Sequence, residues 1–331
     1  MGEFIRFMRV KPCIDIVLPS CNGARFIRDQ IRSIQDNIGY TEYVRKLIVV
    51  DDASDDDTLN IVYKLAHADP SIEVVSNSGH RRGVKKNIVS GLSLSMAPLV
   101  MLSDQDDIWK QDKLRKMLHA MEQAIDTHGE DTPLLGFSDL EVVDAQLNPV
   151  DNSFWHYQGL QPRWANSFKH LLCQNVAPGC SMVINRPLID KALPFLSKSI
   201  MHDWGMILVA CQFGHIFYLD DALVKYRQHG NNQVGAQRLR SAFRDGVLNA
   251  VKRARKNVYM LSAQACSYHA VYGTQNLEAR DIATLRSLMD LPTMNSWSRL
   301  AQVFKGTIRK NNIIRNLFLI IVLCTPSPQI K

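Results

Sequence analysis

Over the first 140 residues the apolar positions switch back and forth between two periods. Ile14-Asp15-Ile16-Val17-Leu18 reads as a strand closed by Pro19, whose nitrogen carries no hydrogen for a sheet ladder. Ile27, Ile31 and Ile34 then share one face of a helix. Leu47-Ile48-Val49-Val50 is apolar throughout, the pattern of a strand covered on both faces. After the acidic stretch Asp51–Asp57, the positions Leu59, Ile61, Val62, Leu65 and Ala66 predict a second helix. Ile72–Val75, a helix around Val84, Ile88 and Leu92, and Leu99-Val100-Met101-Leu102 continue the series. Leu114, Met117, Leu118, Met121 and Ile125 mark a long helix. The alternation predicts an α/β domain with a single, mainly parallel sheet flanked by helices.

From about Leu134 the rhythm loosens. Gly136-Phe137-Ser138 reads as a further strand, followed by an aromatic-rich stretch with Phe154, Trp155, Tyr157 and Trp164. A short apolar run, Met182–Ile184, precedes a helical pattern from Asp203 to Phe213 and two strands, His215–Leu219 and Leu223–Tyr226. Beyond Gly235 the pattern is helical and basic, broken at Pro292. The apolar stretch Leu317–Cys324 is eight residues long, against the roughly 20 that a bilayer span needs. With Arg309, Lys310 and Arg315 before it, it reads either as an interfacial helix or as a helix docked on the body.

Charge divides the chain at the same place. Residues 237–331 hold 15 Lys+Arg against 4 Asp+Glu, whereas residues 1–236 hold 24 against 28. This predicts a mildly acidic domain over 1–236 and a basic helical extension over 237–331 that meets something anionic. The seven cysteines, at 13, 21, 173, 180, 211, 266 and 324, are odd in number and form no C-x-x-C pair. That excludes a disulfide framework and a zinc knuckle, and fits a reducing cytoplasm. The opening MGEFIRFMRVKPC lacks the apolar core of a signal peptide. A nucleic-acid role for the stretch Arg238–Lys256 finds no reader motif and few stacking aromatics, so no nucleic-acid partner is expected.

Ligands of an open parallel sheet bind at the carboxyl ends of its strands. Here those ends carry Pro19-Ser20-Cys21-Asn22-Gly23, Asp51-Asp52-Ala53-Ser54 and Ser103-Asp104-Gln105-Asp106-Asp107. Crowded carboxylates repel one another and call for a cation or a donor-rich ligand. Helix capping accounts for Asp55, Asp56, Asp57 and Asp112, but less well for Asp52, Asp104 and Asp106. Neither the dinucleotide fingerprint nor the P-loop is present, and Gly79–Lys86 matches neither spacing. A nucleotide held by carboxylates, with a hard divalent cation bridging to its diphosphate, remains.

These segments resemble the inverting glycosyltransferases of family 2, with the GT-A fold. The resemblance rests on Pro19-Ser20-Cys21-Asn22, Val49–Ser54, Gly83 with Asn87, and Asp104-Gln105-Asp106-Asp107, in that order. His202-Asp203-Trp204 and Tyr226–Asn232 further resemble the bacterial rhamnosyltransferase-like branch that builds surface polysaccharide such as O-antigen or capsule. The likeness covers about residues 13–236.

The resemblance implies a nucleotide-diphosphate-sugar donor, with Pro19, Cys21, Asn22, Asp52, Gly83, Asn87 and Asp104 around the nucleotide. Cys21 stands where an aromatic residue is often found. Asp106, with Asp104 and His229, would hold Mg²⁺ or Mn²⁺, and Arg227 and His229 would reach the diphosphate. Asp203 would be the general base, with capping of its own helix as the alternative. Gly179, Cys180 and Trp204 would lie on the acceptor side, and Trp155 and Trp164 either line that pocket or belong to the core. The acceptor would be a glycan on a polyprenyl diphosphate, at an anionic membrane surface that the extension touches. Nucleotidyl transfer and non-catalytic sugar-nucleotide binding are the alternatives on the same sheet.

Overall fold

A computed structural model of the chain describes residues 13–77, 81–230, 247–311, 315–316 and 319–320. The opening segment, His80, Asn231 and Asn232, the extension up to residue 246 and most of Leu317–Cys324 lie outside the described residues.

The first half alternates as the periodicity predicts. In order come β1 (Ile14–Ser20), α1 (Ile27–Gln35), α2 (Tyr40–Tyr43), β2 (Val44–Asp51) and α3 (Thr58–Ala68). They are followed by β3 (Ile72–Ser76), α4 (Val84–Leu94), β4 (Leu99–Leu102), β5 (Ile108–Trp109) and α5 (Lys113–His128). Strands β3, β2, β1 and β4 are neighbours in that order and all parallel. Ile14, Ile16 and Leu18 pack with α1 and α5 on one face of the sheet, whereas Val17 packs with α4 on the other. A β-carbon on Gly91 would lie 2.4 Å from Val17 Cγ1, so the glycine is what lets α4 lie this close to β1.

Pro19 does not end β1, which runs on to Ser20. Val17 O accepts from Ser103 N on the β4 side, at 3.0 Å, and Ser20 O accepts from Asp52 N on the β2 side, at 2.8 Å. Pro19 faces the β4 side beyond the last pairing, so its missing N–H interrupts no ladder bond.

The second half turns the sheet from parallel to mixed. It comprises β6 (Leu134–Val143), β7 (Pro149–Asp151), α6 (Phe154–Gln158), α7 (Phe168–Cys173), β8 (Met182–Asn185), α8 (Arg186–Leu196), α9 (His202–Phe213) and β9 (His215–Arg227). β8 pairs antiparallel with both β4 and β6, β9 runs parallel to β6, and β5 closes the far edge antiparallel to β9. The two strands expected over 215–226 are one strand. Its register against β6 shifts on both sides of Asp139, whose carboxylate accepts from Leu140 N at 2.8 Å and Trp155 N at 3.2 Å. The irregular pairing bends the strand without breaking it.

The extension supplies α10 (Val247–Tyr272), α11 (Ala279–Asp290) and α12 (Ser296–Phe304). Leu261, Ala265 and Tyr268 of α10, and Leu285 and Leu288 of α11, are buried in the same apolar cluster as Leu171, Leu196 and Leu208. Trp155 is buried in that cluster, whereas Trp164 is half-buried against it and stacks on His170. No helix of the described residues is long and apolar enough to cross a membrane.

Candidate active site

Asp104, Asp106 and Asp107 follow β4 directly, at the carboxyl end of the parallel strands. Asp107 is buried, and its Oδ1 accepts from Arg227 N at 3.0 Å. Asp106 Oδ2 meets His229 Nε2 at 2.8 Å. The His229 ring stacks on Phe26, with centroids 4.7 Å apart. The chain ends of β4 and β9 therefore meet here, although they are far apart in sequence.

Beneath the carboxylates lies Cys180. One ligand atom each from Asp104, Asp107 and Cys180 falls within 4.8 Å of the others. Lys113 is fully buried beside them, donating to Cys180 O at 2.7 Å and sitting 3.5 Å from the centre of the Trp109 ring. Burial, followed by Asp106 and Asp203, pushes the Asp104 carboxyl up to about 7. Burial pulls the Lys113 ammonium down to about 7 against the pull of its acidic neighbours. Burial beside Asp107 and Asp104 also raises the Cys180 thiol well above its ordinary value.

This donor set suits a hard divalent cation. Crowded carboxylates hold one another's ionisation back, and a cation would relieve that repulsion. Asp104, Asp106 and His229 can supply oxygen and nitrogen ligands, whereas Cys180 stays a neutral thiol and is a poor partner for Mg²⁺ or Mn²⁺. The tight triplet in the structure contains Asp107 and Cys180, which were not among the expected ligands. Asp106 and His229 form a separate pair beside it.

Asp203 stands in the first turn of α9 with Met201 at the cap position, and its carboxylate takes up a backbone N–H of that turn. Its Oδ1 accepts from Trp204 N at 2.6 Å, and Gly179 N–H and the Asn175 side chain lie close enough to favour its charged form. Burial nevertheless raises its pKa above the ordinary carboxylate value. It lies close enough for its charge to be felt at Asp104. Gly179 is a glycine because of His202: a β-carbon there would lie 2.7 Å from His202 Nε2.

Other expected ligand residues have partners within the protein. Asp52 Oδ1 and Oδ2 accept from Arg82 N and Gly83 N, both at 2.7 Å, so Asp52 clamps the loop that starts α4. Gly83 has φ +86°, a conformation that side-chain-bearing residues avoid. Asn22 exchanges hydrogen bonds with Asp55, through Nδ2 to Oδ1 at 2.6 Å and from Asp55 N to Oδ1 at 2.9 Å. Asn87 is buried and accepts from Asn77 Nδ2 at 2.8 Å.

Arg227, expected at the diphosphate, is buried. Its guanidinium donates to Asp106 O at 2.8 Å and Ala145 O at 3.0 Å and lies over the Phe26 ring. It positions the acidic loop from behind. Trp204 and Cys180, expected on the acceptor side, also turn inward. The Trp204 indole donates to Leu171 O at 2.5 Å, and Cys180 is buried under the carboxylates. Asp57 and Asp112 precede α3 and α5 without making capping bonds. Asp57 accepts from Asn60, and Asp112 pairs with Lys116.

Two residues carry parts that sequence reasoning did not assign. Gln105 pairs with the backbone of Cys21, accepting from its N at 2.8 Å and donating to its O at 3.1 Å. Gly23 leaves room for that amide, since a β-carbon would lie 2.3 Å from Gln105 Oε1. Lys113 carried no signal, because a charged residue at a helix start reads as solvated.

The profile of Glycosyl transferase family 2 matches residues 15–127. The dTDP-rhamnosyl transferase RfbG of Shigella flexneri is 26% identical over 227 residues, which are 65% of this chain and 72% of that one. A GalNAc(5)-diNAcBac-PP-undecaprenol beta-1,3-glucosyltransferase of Campylobacter jejuni is 30% identical over 96 residues, 29% of this chain and 30% of that one. The fold is also that of the mannosyltransferase PcManGT from Pyrobaculum calidifontis, solved with GDP-Man and Mn²⁺. It is 17% identical, has a TM-score of 0.50, and the match covers 95% of this chain and 87% of that one. The parallel half of the sheet with the acidic loop after β4, residues 15–127, thus matches Glycosyl transferase family 2, and the chain around it has the GT-A fold of solved glycosyltransferases.

Proposed function

We propose that the enzyme transfers a hexose or deoxyhexose, with dTDP-L-rhamnose as the favoured donor, to a hydroxyl of a lipid-linked glycan in bacterial surface-polysaccharide synthesis. The observation that carries this reading is Asp203, a half-buried carboxylate with a raised pKa, within electrostatic reach of Asp104. The likeness to RfbG supports rhamnose, and the undecaprenol-linked name of the Campylobacter relative supports a lipid-borne acceptor at the inner face of the membrane.

In the proposed reaction the acceptor oxygen attacks the anomeric carbon while the bond from that carbon to the diphosphate oxygen breaks. The nucleoside diphosphate leaves with the bonding pair, and the acceptor's proton goes to Asp203. One displacement from the face opposite the leaving group inverts the anomeric configuration. A raised carboxylate is a better base for a hydroxyl than a free one. Asp104, Asp106 and His229 would hold Mg²⁺ or Mn²⁺, which stabilises the charge that builds on the diphosphate oxygens. Arg227 and Asp107 keep the acidic loop in place.

Thermal unfolding with UDP, dTDP and GDP, each with and without Mn²⁺, tests the reading on wild type and Asp106→Ala. A nucleotide at 100 times its dissociation constant adds about 2.7 kcal/mol to stability. Metal-dependent stabilisation by dTDP above the others, absent from the variant, is expected. Preferential stabilisation by UDP or GDP would replace rhamnose as the donor, and no response to any nucleotide would remove the proposal.

A further inference from the structure

Helix α12 is turned inside out. Its arginine, Arg299, is buried and donates to Leu291 O at 3.0 Å and Pro292 O at 3.1 Å. Its largest apolar side chains face the other way: Trp297 is 83% and Phe304 77% exposed. Seven positions apart, they lie nearly in line along the helix. A helix on an ordinary soluble surface places its charges outward and its aromatics inward.

From the start of α12 onward the charge has one sign, with exposed Asp290, at the end of α11, the nearest acid before it in the chain. From Leu291 to Lys331 the sequence holds Arg299, Lys305, Arg309, Lys310, Arg315 and Lys331 and no acidic residue. Lys305 follows Phe304 directly, and both it and Arg309 are exposed. Arg309 belongs to a wider basic group, since Lys169, Arg309 and Arg280 all act on His170, which burial and then these charges pull down to about 4. Nearby acids are engaged locally: Glu278 pairs with Arg280 at 2.8 Å, and Asp281 accepts from Lys169 N at 3.2 Å.

We propose that the outward face of α12, Trp297 and Phe304 bordered by Lys305 and Arg309, is the surface by which the enzyme lies on an anionic bilayer. Aromatic rings settle at the level of lipid headgroups, and basic side chains beside them are drawn to anionic lipid. A symmetric contact between two copies across this face would bring the same cations together, so the geometry favours lipid over a second copy. The purpose of the surface rests on the lipid-borne acceptor proposed above.

The test is sedimentation of the full chain with phosphatidylcholine vesicles and with mixed phosphatidylglycerol–phosphatidylcholine vesicles. The wild type should partition onto the mixed vesicles, more weakly at high salt, and the Trp297→Ala/Phe304→Ala double variant should lose about tenfold or more of that binding. Lys305→Glu/Arg309→Glu should weaken it as well. Equal partitioning of the wild type and the aromatic variant, or no preference for the anionic vesicles, would overturn the proposal. So would a wild-type dimer, seen by light scattering, that the aromatic variant converts to monomer. Stabilisation by free nucleotide, measured without vesicles, checks that each variant is folded. It also separates failure of this surface from failure of the donor-site reading.

Discussion

The Asp106 carboxylate and the His229 ring, 123 positions apart, meet at 2.8 Å at the carboxyl end of the sheet. Phe26 stacks on the histidine from the β1–α1 connection, so three loops converge on one contact. His229→Ala should weaken Mn²⁺ binding by at least about 10–100-fold, the scale for a partner that only orients a ligand, since His229 is itself one of the proposed ligands. A metal titration of dTDP-dependent stabilisation measures it. An unchanged requirement for Mn²⁺ would mean that the pair is not part of the metal site.

Asp203→Asn should lower turnover by about 10²–10⁴-fold, the usual contribution of a positioned base, with the donor KM little changed. The wild-type rate should fall on the acid side as Asp203 takes up a proton. Because burial raises its pKa, that limb should stand above the range of an ordinary aspartate. A limb at the ordinary carboxylate value would assign the base to another group.

Asp104 and Lys113 make stability depend on pH in opposite directions. Asp104 has its pKa raised from 3.8 to about 7, so between these values the folded chain holds a proton that the unfolded chain has released, and stability falls as pH rises. Lys113 is lowered from 10.5 to about 7, so between these values the unfolded chain holds the extra proton, and stability rises with pH. In chelator the two groups together should give a stability minimum near pH 7. Asp104→Asn should melt with the wild type in acid and above it at neutral pH, while losing activity. Melting curves across pH, with the two proteins parallel throughout, would contradict this.

Gly83→Ala should cost about 1–3 kcal/mol, the scale for a side chain forced into a glycine-only backbone conformation. Nothing lies within 4 Å of the β-carbon position, so the cost is backbone strain rather than a clash. Urea unfolding measures it, and a neutral result would show that the Asp52 clamp does not hold this conformation.

The parallel strands were legible because burial on both faces leaves an apolar run, and helices on a sheet show one apolar stripe. The long strand β9 was not, because the exposed Asp220-Asp221 pair at its bend reads as a turn. The acidic motifs located the site, but not who touches whom within it. Asp52 and Arg227 look alike as ligand-seeking charges until their partners, Gly83 N and Asp106 O, are seen. Those partners sit in other loops, and only the folded chain brings them near. The inverted face of α12 was hidden for a related reason. Periodicity reports an apolar stripe without saying which side meets the core.

Arg227 reaches back to hold the backbone of Asp106 and, through its own N–H, the carboxylate of Asp107. The acidic loop inside the profile match and the strand outside it are thus a single device with two sequence addresses. A hybrid enzyme joined near residue 127, made to pair one donor half with a foreign acceptor half, would inherit the motif without its brace. A working exchange would have to carry the end of β9 together with the loop after β4, or import both from the same parent.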